Sequence, residues 1–132
     1  MKRALIATTF FIGLILVSCN KDQSAVKKLD GTWLLVEQDG SAIPDSSQIS
    51  YTFTSCKLKS EDYCPATLTY PNNSSENFEY KVSNKGETMT WKSDDGNGNV
   101  IEIPGTIDEL TETNMTLTFT FIGSTTSKFE KQ

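Results

Sequence analysis

Histidine is absent from this chain, and cysteine occurs three times, at positions 19, 56 and 64. The missing imidazole removes the commonest general base, the commonest metal ligand and every Ser-His or Cys-His nucleophile pair. Carboxylate and thiol chemistry remain. The acids Glu61, Asp62, Asp108, Glu109 and Glu112 fall in turns or at strand ends, where they read as a solvated surface. Nothing in their spacing places two of them in one cleft, as a paired-carboxylate hydrolase requires. Asp94-Asp-Gly-Asn-Gly-Asn99 carries oxygen ligands at calcium-like spacing. Read from Asp95, however, the loop puts Val100 where an EF-hand needs glycine and Thr106 where it needs a bidentate glutamate. A solvated hairpin turn is expected there, with no metal and no cofactor. The chain reads as a non-enzyme, with a carboxylate-based hydrolase as the last-ranked alternative.

The thiol of Cys19 has a different meaning. Lys2 and Arg3 precede an apolar run from Ala4 to Val17, and Ser18-Cys19 closes it. This is the order of a secretory signal peptide. At ~1.5 Å per residue the run spans roughly 21 Å as a helix, short of a ~30 Å hydrocarbon core, so a permanent transmembrane helix is the weaker reading. Leu16-Val-Ser-Cys19 resembles the bacterial lipobox, in which the chain is cut before the cysteine, the thiol is diacylated and the new amine is acylated. Two or more acyl chains hold a protein stably on a membrane. The expected organisation is a leader over residues 1–18, a lipidated Cys19 with a polar tether over 19–28, and one domain over 29–132. Lys21-Asp22 looks like the lysine-plus-acid surface-export signal of Bacteroidota lipoproteins, with Gln23 where a second acid usually stands. Export to the cell envelope, anchorage at the outer membrane and surface display are the corresponding expectations. Twelve basic and seventeen acidic side chains give a net charge of −5, and loss of Lys2 and Arg3 with the leader takes it to −7. Phosphate backbones would be repelled, so nucleic acid is not an expected partner.

With Cys19 lipidated, Cys56 and Cys64 remain as a pair in an oxidising compartment, and a disulfide is the natural reading. Closing so short a loop contributes roughly 2 to 3 kcal/mol on the chain-entropy account. Strand parity opposes the pairing. Cys56 shares the wet face of its segment with Thr52 and Thr54, and Cys64 shares the dry face of its own with Ala66 and Leu68. A bulge near Pro65 is expected to reconcile them.

The elements that must position these residues are strands. Met115-Thr-Leu-Thr-Phe-Thr-Phe121 alternates apolar and polar without a break, which puts Met115, Leu117, Phe119 and Phe121 on one face. Nine segments carry the same signal: Trp33–Glu37, Ser50–Leu58, Cys64–Tyr70, Asn77–Ser83, Thr88–Ser93, Val100–Pro104, Thr106–Leu110, Met115–Ile122 and Ser127–Glu130. If Pro104-Gly105 is a bend inside one strand, there are eight. Turn chemistry separates them at Gln38–Ser41, Pro71–Ser75, Asn84–Gly86, Asp94–Asn99, Glu112–Asn114 and Gly123-Ser124. No stretch shows a sustained helical stripe, and Val26–Leu29 could form one helical turn at most. A meander of this many short strands with one apolar face does best by curling closed, which removes its edges. The expected fold is all-β, a small up-and-down antiparallel barrel of about eight strands.

Leu29-Asp-Gly-Thr-Trp-Leu-Leu-Val36, Tyr51-Thr-Phe53, the stretch from Thr106 to Leu117 and Ser127-Lys-Phe129 together resemble the lipocalin-like domain of small Bacteroidota lipoproteins. The likeness covers Leu29 to Gln132. The Asp94–Asn99 loop and the Cys56–Cys64 insertion depart from that pattern. The resemblance implies a small barrel whose lumen takes a hydrophobic ligand.

Trp33, Tyr51, Phe53, Tyr70, Phe78, Tyr80, Trp91, Leu117, Phe119 and Phe121 are the candidate lumen residues. They form either a packed core or the lining of a ligand site, since small barrels do both. A lipid-anchored binder of a small hydrophobic molecule ranks first, closely followed by a surface interaction or structural protein with a filled barrel. A cavity of a few hundred Å³ would favour the former and an exposed apolar rim the latter.

Overall fold

The alternating segments are realised as an antiparallel meander that closes on itself. The computed structural model describes residues 20–59 and 61–132; Cys19 and the leader lie outside them. The elements are α1 (Lys21–Leu29), β1 (Gly31–Gln38), β2 (Ser41–Ala42), a 3₁₀ turn (Asp45–Ser47), β3 (Ser50–Phe53), β4 (Cys64–Thr69), β5 (Ser75–Ser83), β6 (Thr88–Asp94), β7 (Val100–Leu110), β8 (Asn114–Phe119) and β9 (Thr125–Lys131). Each of β3 to β9 pairs with its neighbour in sequence, and β9 returns to β1 (Trp33 to Lys131, Leu35 to Phe129), so eight strands form a closed up-and-down barrel. The two-residue β2 is a hairpin extension of β1, turned by Asp39 and Gly40 at φ +49° and +81°. Positive φ at both turn positions matches the right-handed strand twist.

Inward positions carry Trp33, Leu35, Tyr51, Phe53, Ala66, Tyr80, Val82, Met89, Met115, Leu117 and Phe129, all buried. Outward positions carry threonines and charges. Thr32 bonds Thr52 (3.0 Å) and Thr118 bonds Thr126 (3.1 Å) across the strands, and Glu79 and Glu37 meet Lys92 and Lys128 directly opposite them, each at 2.8 Å. A barrel dry inside and polar outside is the inverse of one that spans a lipid bilayer.

Several expectations change. Pro104-Gly105 is a bend within one strand, so Val100–Pro104 and Thr106–Leu110 are the single β7. Pro104 is tolerated because β8 ends opposite Gly105, leaving that edge of β7 with no neighbour to bond. The polar tether is instead a nine-residue helix. Asn20 caps it, its Oδ1 accepting from the amides of Asp22 (3.1 Å) and Gln23 (3.4 Å). Ala25, Val26 and Leu29 are buried against the barrel end, so the folded unit extends back past Leu29 at least to Asn20. Asp22 accepts from the Gly86 amide (2.7 Å), and the Trp33 indole donates to the Leu29 carbonyl (2.8 Å). Together these contacts plug one end of the barrel.

The Cys56–Cys64 disulfide is present, with Cα atoms 5.4 Å apart. The bulge near Pro65 is not: Pro65 sits in regular register opposite Glu79. Parity poses no obstacle because β3 stops at Phe53, and Cys56 lies in the loop beyond it.

Candidate functional site

The helix fills one end of the barrel, and the candidate site is the mouth at the other. Leu68 of β4, Glu76, Asn77 and Phe78 of β5, Trp91 and Ser93 of β6, Ile103 of β7 and Tyr51 of β3 surround a cavity of about 220 Å³. Three rings form its floor and walls. Tyr51 stacks on Trp91 (centroids 5.5 Å apart), Phe78 meets Tyr51 edge-on (6.3 Å), and Phe78 tilts against Trp91 (5.5 Å). Phe119 supports Trp91 from behind at 4.4 Å. Gly105, opposite Phe119, makes that placement possible: a Cβ there would lie 2.6 Å from the Phe119 ring.

The wall beside the cavity is split. β5 pairs with β4 as far as Ser75, and β6 pairs with β7 as far as Asp94, yet the ladder between β5 and β6 ends at Glu79 and Lys92. Past that pair the strands diverge. A groove of about 300 Å³ lies along the divergence, and Asn77, Phe78 and Ser93 border both it and the mouth cavity. The two spaces together offer room for a small ligand with one or two rings.

The tyrosines of the barrel lie in apolar surroundings. Burial, with a smaller contribution from Tyr70, pushes the Tyr51 phenol up to about 12. Deeper in the barrel, burial also raises Tyr80, whose hydroxyl donates to the Thr54 carbonyl (3.0 Å). The Trp91 indole N–H contacts the Met89 sulfur at 2.9 Å, so it is turned to the protein and not to the cavity.

Of the ten candidate lumen residues, Tyr51, Phe78 and Trp91 line the mouth and Phe119 packs behind it. Trp33, Phe53, Tyr80 and Leu117 are buried packing nearer the helix. Tyr70 stands half-buried just past the end of β4. Phe121 does not face inward: it is 65% exposed, because β8 ends at Phe119 and the alternation beyond it no longer belongs to a ladder. Leu68 and Ile103 were missed although their parity placed them on the dry face. Glu76, Asn77 and Ser93 were missed because no periodicity marks a polar residue as a pocket rim.

The acids behave otherwise. Glu61, Asp62 and Glu79 border one outer groove, but they stand exposed and Glu79 is tied to Lys92. Above that groove the Tyr63 hydroxyl donates to Glu102, and its ring lies under Lys92 (4.4 Å) and Lys81 (4.9 Å), which straps the disulfide loop to the wall. Asp95 takes up its own turn, accepting from the amides of Asn97 (2.8 Å) and Asn99 (3.1 Å) and the side chain of Asn99 (2.8 Å), which lower its pKa. Among the described residues no group of acids and cysteines is arranged to hold a metal.

Compared with family models, curated proteins and solved structures, the chain matches none.

Proposed function

We propose that this chain is a lipid-anchored, non-enzymatic binding protein of the bacterial cell envelope, lipocalin-like in plan, whose barrel mouth takes a small hydrophobic ligand. The observation that carries this reading is the aromatic cavity of about 220 Å³ at the end of the barrel not plugged by α1. An interior meant only to be filled has no need to leave Tyr51, Phe78 and Trp91 around open space. The Leu16–Cys19 pattern supports the anchor, and an acyl group on Cys19, just before α1, would put the membrane on the plugged side of the barrel.

Native mass spectrometry of protein extracted gently from its own membranes tests the proposal. A recurring small-molecule adduct that is lost in Trp91→Ala supports it. A bare chain that also fails to bind an apolar fluorescent probe overturns it.

A second reading has its own support. Val100, Phe121 and Ile122 are 61%, 65% and 88% exposed, and all lie at the mouth end of the barrel. Large apolar side chains grouped this way suit an interaction surface. A carboxylate-based hydrolase ranks last, with no pair of acids drawn into a closed cleft among the described residues.

A further inference from the structure

Glu76 is an exposed acid on the rim of the mouth, at a position whose parity points toward the lumen. It shares the inward parity of β5 with Phe78, Tyr80 and Val82, and it stands opposite Leu68 in the ladder. Among the described residues its carboxylate has no ion-pair partner, since the two ion pairs, Lys92 with Glu79 and Lys128 with Glu37, are both on the outer wall. It is the only charged residue among those lining the mouth cavity. The one cation in the adjoining groove, Lys92, is held by Glu79 at 2.8 Å and stands over the Tyr63 ring. From Asn20 onward the chain contains no arginine, the side chain whose fork geometry best captures a carboxylate. The rest of the lining points the same way. Tyr51, Phe78 and Trp91 line the same cavity, and aromatic rings carry a negative quadrupole that attracts cations.

Resting on the ligand-binding reading, we propose that the mouth selects an apolar molecule with an organic ammonium head over one with a carboxylate, Glu76 meeting the charge and Tyr51, Phe78 and Trp91 the apolar body. Fatty acids and aryl carboxylates are then the wrong ligands. They would bring a negative charge beside Glu76 in a protein already negative overall, with no free cation to receive it.

Three probes of one shape test this by titration calorimetry at pH 7: 2-naphthylmethylammonium, 2-naphthylmethanol and 2-naphthoate. The ammonium should bind about tenfold more tightly than the carboxylate at low salt, with the alcohol between them. Glu76→Gln should collapse that gap while leaving the alcohol unchanged, and Glu76→Lys should invert it. Both substitutions lie at an exposed position, and a thermal melt checks the fold. Equal binding of ammonium and carboxylate overturns the charge selection but leaves the pocket standing. So does a gap that persists in Glu76→Gln, which would assign the preference to overall charge and leave Glu76 as a rim charge guarding the unpaired strand edge. Failure of all three probes, the alcohol included, removes the ligand site itself.

Discussion

At the scale of single residues, the inward tyrosines carry a pH signature. The Tyr51 phenol titrates near 12 in the folded chain and near 10 when exposed, so the unfolded state loses its proton first as pH rises. Its contribution to stability is therefore fully present below about pH 10 and is lost between about 10 and 12, on the order of 2 kcal/mol in all. Urea melts from pH 8 to 11.5 should show the fall, and Tyr51→Phe should shrink it, leaving the part that Tyr80 contributes. Phe119 tests the mouth. Full burial would make Phe119→Ala cost about 3 to 5 kcal/mol, but this ring is half-buried, so about 2 kcal/mol is expected, together with a shift in Trp91 fluorescence. A denaturant melt with an emission scan checks both. The contrast between Phe119 and Phe121 shows the reach of sequence at this scale. Alternation told which face each belongs to if the strand continues, whereas where the strand ends depends on how far β9 and β7 run beside it.

At the scale of elements, α1 is the part that local pattern failed to announce. Nine residues give about two and a half turns, too few for a stripe to stand out, and a helix this short is marginal alone. Its stability comes from the Asn20 cap and from Val26 and Leu29, both fully buried against the barrel end. Val26→Asp should therefore destabilise the domain by about 3 kcal/mol or more in a denaturant melt, where a solvated tether would show no change. The disulfide belongs to the same end. Gln23 of α1 donates to the Cys56 carbonyl (2.8 Å) and accepts from the Leu58 amide (3.0 Å), so the loop that the disulfide closes also grips the helix. Reduction should cost roughly 2 to 3 kcal/mol, and the unreduced domain should show no reactive thiol at Cys56 or Cys64 on labelling. Both cysteines were legible as a pair from compartment and count. How parity permits the bond was not, because the end of β3 at Phe53 is settled by its neighbours.

At the scale of the whole molecule, α1 closes one end of the barrel, the mouth lies at the other, and the proposed anchor precedes α1. Cys19→Ser should release the protein from the membrane fraction or leave it unprocessed, which fractionation and intact mass resolve; unchanged retention with normal cleavage would remove the anchor. The sequence by itself determined the strand faces within each ladder, a meander of eight or nine strands that closes, and the cysteine pairing. Each of these follows from side-chain alternation, turn residues and redox setting, which are readable within a few residues of chain. Only the tertiary structure decided that the interior is filled at one end and open at the other, that β5 and β6 part beyond Glu79 and Lys92, and that Glu76 borders the same cavity as three rings. Those features depend on the relative lengths of neighbouring ladders and on a helix docking across the barrel end. Period-two alternation gives every inward position along a strand the same sign, so it cannot tell a packed residue from one that borders a cavity.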